Sequence, residues 1–86
     1  MNGSERKRPM IDIIIEQTAD FFRPIVAQIE QRPNREKNPY RDYLGVLSIV
    51  PDLQMRQIIA LGLIKAGANP MGVKMSMDFI ENISLN

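Results

Sequence analysis

Six prolines punctuate this chain, and their positions constrain its fold more than any other feature. Proline lacks a backbone N–H and holds φ near −65°, so it opens helices readily and ends them readily. Pro9, Pro39 and Pro70 each stand at the head of a segment whose apolar residues recur at helical spacing. Asn38 and Asn69 directly precede two of these prolines and read as N-caps. Pro51 closes one segment, because the residue before a proline avoids the α region, and Pro51-Asp52 opens the next. Pro33 begins a run to Asn38 that holds no apolar residue and reads as a loop. Gly67 follows a helical pattern with Lys65 in its last turn, the usual chemistry of a helix C-terminus.

The first segment places Ile11, Ile15, Thr18, Phe22, Ile25 and Ile29 along a seam with alternating steps of four and three, with Ile14, Phe21 and Val26 widening it. Pro24 falls inside this segment. At about 100° per residue it lies on the polar side, where it can bend a helix without leaving the seam. The other reading is two short helices meeting near Phe22 and Arg23. The second helix runs through Tyr40, Tyr43, Leu44, Leu47 and Val50, weakened by Gly45 within it. The expected fold is an all-α domain of three or four helices, with a long, bent first helix and a compact trio after the loop. The short connections at 50–52 and 67–70 favour helices packed against their chain neighbours. Residues 1–8 are expected to be a flexible basic terminus, and 9–86 one domain.

At 86 residues the chain supports one modest core. It has neither cysteine nor histidine, so disulfides are excluded and a zinc site is implausible. The ten acidic residues show no calcium-loop spacing. No metal and no cofactor is expected. The net charge of +1 gives no bulk case for nucleic acid or membrane, and no apolar run approaches a membrane span. Arg6-Lys7-Arg8 before Met10 to Ile15 has the basic lead of a signal peptide, but Asp12 and Glu16 interrupt the apolar run and no small-residue cleavage site follows. The expected location is the cytoplasm. Serines and the threonine have no base at a recognisable spacing, and no glycine-rich phosphate loop is present, so an enzyme is not expected.

The last two helices carry the functional signal. Met71, Met75, Phe79 and Ile83 share one flank of the fourth helix; Val73, Met77 and Ile80 share another. Together they cover roughly 240° of the wheel, against little more than about 100° for an ordinary surface helix. In the third helix Met55, Ile58, Ile59, Gly62, Leu63 and Ala66 form one face, and Leu53, Ala60, Leu61 and Ile64 occupy much of the other. A domain this small cannot cover both helices on both sides. A second copy burying roughly 1,000–2,000 Å² would relieve the exposure and add stability. The expected contact surface is Leu61, Ile64, Met71, Met75, Phe79 and Ile83. The expected role is a non-enzymatic, self-associating regulator, inhibitor or assembly factor that binds a larger protein.

A second function class competes. The stretch from Leu63 to Val73 resembles a helix-turn-helix, with Gly67 in the turn, the cap pair Asn69-Pro70 and Val73 six residues after the glycine. That resemblance implies a small DNA- or RNA-binding regulator. Two features depart from it: Leu63 stands where a small residue is favoured, and the would-be recognition helix carries one lysine against Asp78 and Glu81. The Leu63–Pro70 stretch is also similar to the end of an ankyrin repeat, but no repeat of about 33 residues is present. A separate basic cluster, Arg32, Arg35, Lys37 and Arg41 beside Tyr40, is the better candidate for phosphates or stacked bases.

Overall fold

The computed structural model describes residues 9–31 and 39–85. They form four helices: α1 (Met10–Glu30), α2 (Pro39–Ser48), α3 (Leu53–Lys65) and α4 (Pro70–Leu85). No strand occurs among the described residues. The expected basic start, residues 1–8, and the expected loop from Pro33 to Asn38 lie outside them.

Helix boundaries follow the chemistry that predicts them. The Asp52 carboxylate accepts the Met55 N–H at 2.9 Å and caps α3. Asn69 caps α4, its side-chain oxygen accepting the Met71 N–H at 2.9 Å and the Gly72 N–H at 3.4 Å. Gly67 has φ +113°, the one positive φ among the described residues. The Gly67 N–H donates to the Ile64 carbonyl and the Ala68 N–H to the Leu63 carbonyl. This pair of bonds satisfies the last carbonyls of α3 and turns the chain sharply. α2 ends at Ser48, so Val50 belongs to the connector rather than the helix.

α1 runs unbroken through Pro24, so the alternative of two short helices is not what forms. Pro24 is exposed, and Asp20, whose carbonyl it deprives of an N–H donor, is exposed as well. The seam, however, is rotated from the expected one. Ala19 and Val26 are fully buried, flanked by the half-buried Ile15, Phe22 and Ile29, while Ile11 and Ile25 are exposed. The line 15, 19, 22, 26, 29 keeps the helical period, but an alanine carries its centre.

Packing departs further from expectation. α1 packs chiefly on α3, and α2 chiefly on α4, so next-nearest rather than adjacent helices pair. The two short connectors turn the chain and do not reverse it, which leaves consecutive helices touching lightly. The helices after the loop are therefore no self-contained trio, because the main neighbour of α3 is α1. The molecule measures 17 Å along its shortest axis. Two helix layers fill that thickness, given interaxial spacings of about 8–10 Å.

One core joins the two pairs: Val26, Tyr43, Leu47, Ala60, Leu63, Ala68, Val73 and Ile80. Ala60, expected on the outer face of α3, lies in it. At the α1–α3 crossing the helices meet backbone to side chain. A Cβ built on Gly62 would lie 2.5 Å from Thr18 Cγ2 and 2.8 Å from Thr18 Cβ, so a larger residue has no room. Arg56, absent from any sequence-based expectation, is buried and donates from Nε (3.1 Å) and Nη2 (2.6 Å) to the Val50 carbonyl. That fork fixes the α2–α3 connector to α3.

Candidate interaction surface

All six residues expected at a contact surface are exposed, by 36–65%. On α4, Met71, Met75, Phe79 and Ile83 follow one another at steps of four and form a ridge about 18 Å long. The adjoining flank, with Gly72, Val73, Ser76 and Ile80, is buried. Leu61 and Ile64 stand on the outer face of α3 together with Leu53. The wide apolar circumference of α4 thus divides into one half that makes the core and one half left bare.

The structure also holds an apolar surface that the sequence does not single out. α1, α3 and the end of α2 border an open groove made of two adjoining lobes of about 530 and 290 Å³. Phe22 and Ile59 line both lobes, along with Phe21, which is 69% exposed. The Phe21 and Phe22 rings meet edge to face at 5.0 Å between centroids. Gly45, Val46, Ile49 and Val50 close one end; Ile14 and Met55 close the other.

Among the described residues no charged side chain lines the groove. Its polar members are Gln17 and Thr18, and the Thr18 hydroxyl donates to the Ile14 carbonyl of its own helix at 2.8 Å. Such a lining suits aliphatic and aromatic side chains and offers nothing to hold a phosphate or a carboxylate. Gly45 is exposed in the middle of α2, and a Cβ there would meet nothing within 4 Å. Glycine inside a helix costs about 0.5–1 kcal/mol relative to alanine, and nothing in the protein's own packing requires it here.

Two signals in the sequence bear on this groove. Phe21 and Phe22 lie about 100° apart on a helix and cannot both point to one core. An isolated glycine inside a helical pattern, costly unless something requires it, is the second.

The remaining expected residues divide. Arg32, Arg35 and Lys37 lie outside the described residues. Tyr40 and Arg41 fall in the first turn of α2, and their side chains are outside the described set. The helix-turn-helix likeness holds for the Gly67 turn and the Asn69 cap, but the exposed side of α4 carries the methionine ridge and, beside it, Lys74 with Asp78 and Glu81. Lys74 is paired with Asp78 at 3.5 Å.

A polar cluster braces the other side of the fold. The Glu30 carboxylate, at the end of α1, accepts a short hydrogen bond from the buried Tyr43 hydroxyl and the Asn69 N–H at 2.9 Å. It therefore ties α1 to α2 and places negative charge at the N-terminus of α4, where the helix dipole favours it. A shallow recess of about 250 Å³ between Asp12, Glu16 and Lys65 lies where α1 passes the end of α3. Among the described residues no group of three or more acidic side chains is placed to hold a metal ion. No helix among them is long and apolar enough to cross a membrane.

No protein-family model, curated protein or solved structure matches this chain.

Proposed function

We propose that this protein is a non-enzymatic interaction module that self-associates and acts by binding a larger protein, as a regulator, inhibitor or assembly factor in the cytoplasm. One observation carries the reading. Among the described residues fifteen large hydrophobic side chains are exposed, against nine buried apolar residues, three of them alanines. Scattered apolar surface is ordinary in a soluble protein. Here eight of the fifteen are gathered into a ridge on α4 and a groove beside α1, and contiguous apolar patches beyond a few hundred Å² mark contact surfaces. Methionine at positions 55, 71 and 75 adds side chains that adapt to a partner's shape.

Light scattering at micromolar concentration tests the reading. The expected mass exceeds one chain. Met75→Glu places a charge in the ridge and is expected to return the mass to one chain while the far-ultraviolet circular dichroism stays helical. A wild-type protein that remains a single chain removes self-association from the proposal. Loss of helicity in Met75→Glu would make Met75 part of the core and remove the ridge from it.

A further inference from the structure

We infer that the groove receives the α4 ridge of a second copy of this chain, and that the exchange is reciprocal, in a two-fold dimer. The inference rests on the self-association proposed above and names the two surfaces that meet. Shape is the first argument. The ridge is convex, one helix wide and about 18 Å long. The groove follows α1 from Ile14 to Phe22, about 12 Å, and continues past Phe22 to Gly45 and Ile49 on α2. Chemistry is the second. The ridge presents thioether, aromatic and aliphatic groups, and the described residues of the groove lining hold no charge that such groups would strand.

Gly45 supplies the third argument. Its bare backbone forms part of the groove wall with open space in front of it. A helix seated in the groove would pass close there, and a side chain at 45 would hold it away. Area decides between one contact and two. Each ridge side chain is 45–65% exposed and offers on the order of 100 Å². With a matching area from the groove, one ridge in one groove buries on the order of 800 Å², short of the roughly 1,200 Å² of a stable specific interface. Two reciprocal contacts exceed that figure. They also close the assembly, whereas a single head-to-tail contact leaves a free ridge and a free groove and propagates.

A mixing experiment tests this. Met75→Glu breaks the ridge; Gly45→Leu fills the groove at a position with no neighbour to displace. Each variant alone is expected to lose both contacts and weigh one chain at concentrations where the wild type weighs two. Mixed in equal amounts, the two variants regain one intact ridge–groove pair. They are expected to associate at least tenfold more tightly than either variant with itself. Ile49→Glu, at a residue 78% exposed, is a second groove variant and must behave like Gly45→Leu. If the wild type is dimeric but the mixture gains nothing, like surfaces meet and the inference is overturned while self-association stands. If the groove variants stay dimeric, the groove is not the seat and the inference also falls. A wild type that is a single chain overturns both readings and leaves the groove to a helix of another protein.

Discussion

To the core α2 and α4 contribute Tyr43, Leu47, Val73 and Ile80, large side chains with little or no exposure. At the crossing of α1 and α3 stand Thr18, Ala19 and Gly62. The first pair is held by the volume it removes from water. The second also buries Val26 and Leu63 but adds proximity: small residues let a helix backbone reach its neighbour, and dispersion contacts accumulate over the close approach. These two kinds of contact fail differently. A volume-packed pair suffers when atoms are removed, and a proximity-packed pair suffers when they are added.

Substitutions can break or sharpen that contrast. Leu47→Ala removes a fully buried side chain and is expected to have the largest effect, about 2–5 kcal/mol of unfolding free energy in urea titrations. Gly62→Val adds branched bulk against Thr18 and is expected to cost about 1–3 kcal/mol despite valine's better helix propensity. Adding Thr18→Ser to it removes the nearest clashing atom and should recover part of that loss. No recovery would mean that the crossing is limited by backbone rather than by Thr18. Tyr43→Phe keeps the buried ring and deletes the hydroxyl that donates to Glu30. A loss of about 1.5 kcal/mol is expected, read as a fall in Tm of several degrees. An unchanged Tm would show that the Glu30 brace contributes nothing to the α1–α2 association.

Local chemistry made the helices legible from sequence. Asp52, Asn69 and Gly67 each act through atoms within a few residues of themselves, so their roles can be read without knowing the fold. The phase of α1 was harder. Ala19 has too little side chain to register in a hydrophobic pattern, yet its smallness is what lets α3 approach. Pairing was not legible at all, because connector length limits which helices are able to meet but does not set the angle at which the chain leaves a turn. Arg56 is silent in the sequence for a related reason: its partner is a backbone carbonyl, which carries no signature there. Of the candidate surfaces, the α4 ridge lies on one helix and follows from its period. The groove is walled by three helices, and a one-dimensional pattern cannot show what they enclose between them.

The interleaved order of the helix pairs also governs how the chain comes into being. α1 finds its principal neighbour only when α3 is complete, so everything from Gln31 to Lys65 must be made first. At roughly 5–20 residues per second that takes a few seconds. Through that interval the Ile, Phe and Val side chains of a finished helix face the cell unpaired. Neither half of the polypeptide can shorten the wait, since each holds one member of both pairs. The nascent chain is therefore expected to depend on chaperone shelter more than a two-layer domain of consecutive hairpins would.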